Sequence, residues 1–150
     1  MAVTNTAAFG QTPFWMQALV TAAKAAIGTA TQTNTVAFSG IAIGANGVII
    51  TGASASPNNS VTASWVALYY SVDAGTTLRQ FAIGTLAAYT AAATLAPTPL
   101  SFSQMNGSAI SPTNSIYIPG TGSGSTVALY AGAGVAVADG IVFTINGSIL

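Results

Sequence analysis

Four side chains carry all the formal charge in this 150-residue chain: Lys24, Arg79, Asp73 and Asp139. Histidine, cysteine and glutamate are absent. Soluble domains draw about 25% of their residues from Asp, Glu, Lys and Arg, whereas here the share is 3%. A domain of this length exposes roughly 7,000 Å². Its outside must therefore be lipid-facing, covered by other subunits, or a neutral coat of Thr, Ser, Asn and Gly. The pattern argues for the last two together, the signature of an assembly component.

Hydrophobic content of 51% excludes simple disorder, and the length suits one domain with a true core. Without cysteine, stability must come from packing and backbone pairing. A net charge of zero argues against nucleic acid, because phosphates need clustered Lys and Arg. Mean hydropathy of +0.64 raises the question of a membrane. Thr, Ser, Asn and Gly nevertheless interrupt every candidate run of about 20 apolar residues. Residues 1–10 lack a positive n-region and Lys24 breaks the later apolar stretch, so neither a signal peptide nor a membrane partner is expected.

Turn signals organise the chain. Asn46-Gly47 separates residues 38–45 from 48–54, and Asp139-Gly140 separates 135–138 from 141–145. Both dipeptides supply the positive φ values of a type I′ turn and predict hairpins. The first would place Ile43 opposite Ile50; the second would place Val137 opposite Val142 and Ala136 opposite Phe143. A third hairpin joins 63–72 to 77–84 through Asp73-Ala74-Gly75-Thr76. A four-residue loop aligns Leu68 with Phe81 and Val66 with Ile83, leaving Trp65, Ala67 and Tyr69 on the opposite face. Short strands are expected around 99–103, 115–119 and 125–131, with loops at 57–60 and 120–124. Strands this short and frequent predict an all-β, antiparallel β-sandwich of jelly-roll type. It would occupy residues 14–150 behind an N-terminal arm of residues 1–13.

Two segments stay open. Thr12-Pro13 resembles a helix start, and Phe14, Ala18, Leu19, Ala22, Ala26 and Ile27 recur at helical spacing, but a strand over 16–22 competes. Residues 87–95 fit either a helical turn or a loop crossing the sandwich.

The missing side chains exclude catalysis by His, Cys or Glu. The Asp73 and Asp139 pair is the remaining acid/base option, yet each aspartate precedes or nearly precedes glycine at a turn tip, where aspartate is favoured for local backbone hydrogen bonds. No nucleophile motif accompanies Lys24. Two aspartates 66 positions apart cannot assemble a calcium site, and the Gly-rich 120–125 stretch lacks the basic residue of a phosphate loop. No enzyme, cofactor or metal is expected. The Asn-X-Ser matches at Asn58, Asn106 and Asn146 fit turns better than glycan acceptors. Turn roles fall to Asn46, Gly47, Asp73, Gly75, Asp139 and Gly140. Phe14, Trp15, Trp65 and Tyr69 are bulky for a small domain and suit either the core or a contact surface.

The central block Leu68-Tyr-Tyr-Ser-Val-Asp-Ala-Gly-Thr-Thr-Leu-Arg-Gln-Phe81 and the following Leu86-Ala-Ala-Tyr-Thr-Ala-Ala-Ala-Thr94 resemble small virion proteins of tailed bacteriophages. The Thr- and Ala-rich opening and the ending Ala138-Asp-Gly-Ile-Val-Phe143 look similar too. The resemblance is to capsid cement, or decoration, proteins. It implies a structural protein, made in the host cytoplasm and carried on the outer capsid surface. Its partners would be the major capsid protein and itself as a homotrimer. The competing reading is a tail-fibre, baseplate or adhesin module that binds host glycans through Tyr and Trp. A membrane-associated or pilin-like assembly subunit is a third.

Overall fold

The computed structural model describes residues 12–39, 43, 46–120 and 127–150. The expected arm up to residue 11, most of the strand before Asn46, and the 121–126 part of the Gly/Ser loop lie outside the described residues.

All regular structure among the described residues is β, in two antiparallel five-stranded sheets packed face to face. The first sheet holds β1 (Thr12–Val20), β10 (Ile141–Ile149), β3 (Val48–Pro57) and β6 (Leu100–Ser101) in that order, with β8 (Ile116–Ile118) also pairing with β3. The second holds β2 (Val36–Ala37), β9 (Ala128–Ala133), β4 (Ser64–Ser71), β5 (Arg79–Leu86) and β7 (Ser103–Gln104). The β-sandwich expected from turn spacing is the fold observed.

Between the sheets lies one core. Phe14, Met16, Ala18 and Val20 enter it from β1, Val48, Ile50 and Ala55 from β3, and Ile141, Phe143 and Ile145 from β10. Val66 and Leu68 of β4 and Leu129 and Ala131 of β9 meet them from the second sheet. Phe102 and Phe143, both fully buried, tilt against each other with ring centroids 5.9 Å apart.

The open N-terminal segment is a strand, longer than the 16–22 alternative. Phe14, Met16, Ala18 and Val20 are buried while Trp15, Gln17 and Leu19 are exposed, the period-2 alternation of a half-buried strand. Helical periodicity fails because β10 offers a nine-residue partner, pairing Thr12 with Ile149 through to Val20 with Ile141. Pro13 is tolerated near the start of an edge strand. Thr12 and Pro13 thus belong to the sandwich and not to an arm. Residues 87–95 form a loop closed by isolated bridges, Val61 with Tyr89 and Ala92 with Leu95.

The chain turns at both dipeptides, but neither makes the expected hairpin, and at the second Asp139 lacks the positive φ that a type I′ turn requires. Gly47 and Gly140 have φ of 90° and 78°. Ile43, however, bridges Val127 in place of Ile50, which pairs with Gly147 and Ile116. After Asp139-Gly140 the chain changes sheets: β10 pairs with β1 and β3, while Val137 and Ala136 lie outside any strand. The third hairpin forms with a correction. Tyr69 faces Gln80 and Tyr70 faces Arg79, as a four-residue loop requires, but a bulge between Leu68 and Tyr69 shifts the rest. Leu68 therefore faces Ala82 and Val66 faces Gly84, in place of Phe81 and Ile83. The bulge lets consecutive Phe81 and Ala82 both reach the core.

Replacing Phe143 by Ala removes the ring wedged against Phe102 and leaves a cavity between the sheets. The expected loss is about 3–5 kcal/mol, read from urea unfolding with an unchanged slope.

Candidate functional site

The turn residues perform local work. Ser71, fully buried, donates its hydroxyl to Asp73 Oδ1 (2.6 Å) and accepts from the Gly75 amide (2.8 Å). Asp73 Oδ1 also accepts from the Thr77 amide at 2.8 Å. Hydrogen bonds from Ser71, then from the backbone and side chain of Thr77, hold the Asp73 carboxyl down to about 2. Ala74 adopts φ of 56° and Gly75 of 88° to close this loop. Asp139 accepts from Asn59 Nδ2 (2.5 Å) at its carboxylate and from Asn58 Nδ2 (2.9 Å) at its carbonyl. At Gly47 a Cβ would overlap the Ile118 carbonyl, so the turn depends on glycine twice over, for conformation and for space.

The two aspartates cannot share a substrate. Asp73 follows the end of β4, where Ser71 faces Ala128, while Asp139 lies beyond the other end of β9, where Ala133 faces Val66. That strand alone separates them by about 17 Å, against the roughly 5–9.5 Å of paired catalytic carboxylates.

Lys24 is buried rather than presented. Its ammonium donates to the Thr31 carbonyl at 2.6 Å and sits 5.6 Å from the centroid of the Tyr69 ring. Burial lowers its pKa. It anchors the 21–35 segment, which lies over the outer face of the second sheet. Tyr69 Oη donates to the Ile27 carbonyl (2.8 Å), the Leu78 amide to Ala30 (2.8 Å) and the Lys24 amide to Ala133 (2.8 Å). Beneath it Ala67, Tyr69, Leu78 and Tyr130 form a second apolar cluster, with Trp65 packed at its side. The large groups on the far side of the β4–β5 hairpin are thus covered by the chain itself.

Of the four proposed contact residues, Phe14 and Tyr69 are core residues, Trp65 is half-buried and only Trp15, at 62% exposure, is open to a partner. Trp15 belongs to the outside of the β1–β10–β3 sheet, the sheet face that the 21–35 segment does not cover among the described residues. Three rows cross it: Leu19, Val142 and Ser56; Gln17, Thr144 and Ser54; Trp15, Asn146 and Gly52. The Asn146 amide donates to Thr51 Oγ1 (3.2 Å) and lies over Gly52, where any Cβ would strike it. Exposed Tyr117 of β8, paired with Ile49, extends the face. None of these rows holds an ionisable group. Leu19 and Tyr117 escaped the sequence reading, because only the β1 and β8 pairings set their direction.

A separate groove of about 280 Å³ lies among Leu86, Tyr89, Leu95, Pro97, Pro99 and Leu100. Tyr89 Oη is already committed to the Leu95 carbonyl, and no charged side chain lines the groove. No helix among the described residues is long and apolar enough to cross a membrane. No protein-family model, curated protein or solved structure matches the chain.

Two measurements test this placement. Asp73 is depressed from 3.8 to about 2, so its contribution is present above pH 4 and disappears as pH falls through about 2. Asp73→Asn should lower the melting temperature at pH 7 and flatten its fall below pH 4. Burial raises Tyr69 from 10.0 to about 12, so its contribution is complete below pH 10 and lost as pH climbs towards 12. Tyr69→Phe should cost about 1–3 kcal/mol at pH 7 by stranding the Ile27 carbonyl and should remove part of the alkaline loss. Thermal melts across pH read the first, and urea titrations across pH the second.

Proposed function

We propose that this chain is a structural subunit that decorates an icosahedral phage-type capsid and braces neighbouring capsid subunits. The observation that carries the reading is the placement of charge. Lys24 is consumed inside the fold, Asp73 and Asp139 are consumed in turns, Arg79 lies exposed at the start of β5 in the second sheet, and the outer face of the β1–β10–β3 sheet holds no charge. Such a face desolvates without stripping water from ions, and its contacts are little affected by salt. That suits a particle surface where many weak contacts add through valency.

The wiring supports the same reading. β1 pairs with β10, β2 with β9, β3 with β8 and β4 with β5. These nested pairs support reading the sandwich as one long hairpin rolled into two sheets, the jelly-roll form common in virus shells and in lectins.

The lectin parallel keeps a second reading in play. Trp15 beside Gln17, Thr144 and Asn146 offers a stacking ring and neutral hydrogen-bonding groups to a host glycan.

Purified protein should co-sediment with undecorated capsids, raise their thermal disruption temperature, and keep binding as salt rises from 50 to 500 mM. Trp15→Ala should weaken attachment about tenfold. Failure to bind any capsid, with Trp15-dependent hits on a glycan array, would transfer the assignment to the lectin reading.

A further inference from the structure

Sheet edges expose unpaired N–H and C=O groups, and proteins blunt them with short strands, charges or bulges. Among the described residues, three of the four sheet edges are blunted. β2 and β7, at the ends of the second sheet, have two residues each, and β6 and β8, which share the far side of β3, have two and three. The fourth edge is β1. It has nine residues, carries no charge, pairs with β10 without a bulge, and has its one proline, Pro13, only at the second position. Among the described residues no backbone hydrogen bond outside the β10 ladder reaches it. Its outward side chains include Trp15 and Leu19, exposed by 62% and 48%.

We infer that β1 pairs antiparallel with β1 of a second copy of this chain, so that one sheet runs through both subunits. Charge selects the occupant. An ordinary protein surface, about a quarter charged, would have to bury ions against this neutral strip, whereas a second copy brings the same neutral strip. Side-chain alternation keeps like faces together, and leaving out Pro13, which has no N–H to donate, centres the remaining strand, residues 14–20, on Gln17. Placing Gln17 against the partner's Gln17 keeps outer faces together and sets Trp15 against Leu19 of the partner subunit. Over residues 14–20 this pairing makes roughly six to eight backbone hydrogen bonds. Phe14 and Val20 then meet across the junction on the core side. The contact is isologous and closes at two chains, so the geometry favours a dimer over the trimer that the resemblance implies.

The inference needs only self-association of this chain and does not depend on the capsid reading above. Light scattering coupled to size exclusion should give twice the chain mass for the unmodified protein. Gln17→Lys and Gln17→Glu each set like charges face to face at the two-fold axis and should weaken pairing about tenfold or more. Mixing the two variants in equal amounts should restore the dimer, a rescue that misfolding or general charge effects cannot produce. Ser101→Lys, exposed on the far edge, should remain dimeric. A monomeric unmodified protein, a three-chain mass, or variants that stay paired would overturn the inference. A monomer that still coats capsids would sink the pairing and leave the decoration reading intact, and a dimer that ignores capsids would do the reverse.

Discussion

The last strand, β10, holds the first sheet together. It lies between β1 and β3, pairing with the first strand of the sandwich along all nine residues and with β3 along most of its length. Its inward residues Ile141, Phe143 and Ile145 are fully buried. Removing β10 would leave β1 with no partner in its sheet and half of β3 unpaired. The fold therefore depends on a contact between sequence ends more than a hundred residues apart. Such a contact is reached late, because loop closure is costly before any pairing compensates for it. The Gly147 position shows how tight that contact is. At the bulge beside Asn146, β10 comes so near Ile49 that a Cβ on Gly147 would overlap the Ile49 carbonyl.

That dependence explains what could be read from the sequence. Turns are local, and Asn46-Gly47, Asp139-Gly140 and the Asp73–Thr76 loop all turn where their residues demand. Partners are not local. A hairpin is the natural expectation after Asp139-Gly140, yet Val142 finds Leu19 and Ser56 instead of folding back on Val137. In a sandwich whose chain alternates between sheets, a tight turn can just as well launch a crossing. The β4–β5 hairpin was legible because its strands are neighbours in sequence and in space. Only the bulge, which admits both Phe81 and Ala82 to the core, lay beyond pattern matching.

The candidate site was legible in kind and not in detail. A chain with so few charges had to hide its surface or neutralise it, and Trp15 was visible as a contact residue. Phe14 and Tyr69 stood beside it in sequence terms, because an aromatic side chain looks the same facing in or out. Strand direction separates them: Phe14 and Trp15 are adjacent and therefore point to opposite faces. Tyr69 is removed from the surface by a segment forty residues earlier, whose covering role has no local signature. Lys24 was the one signal that could have revealed it. A single cation in an apolar segment is costly unless it finds a partner, and it finds the Thr31 carbonyl and the Tyr69 ring.

The two sheet faces thus solve the same problem differently. The outer face of β9, β4 and β5 carries bulky apolar groups, and the chain spends residues 21–35 and a buried ammonium on covering them. The outer face of β1, β10 and β3 carries neutral hydrogen-bonding side chains around a few apolar ones and is left open. Thr, Ser, Asn and Gln rows can be wetted at little cost, so this face is compatible with a soluble free subunit. They can also be dehydrated without stranding a charge, so the same face is compatible with burial in an assembly. Charged residues would have favoured only the first of these states. Their absence removes the cost of stripping water from ions when this face is buried.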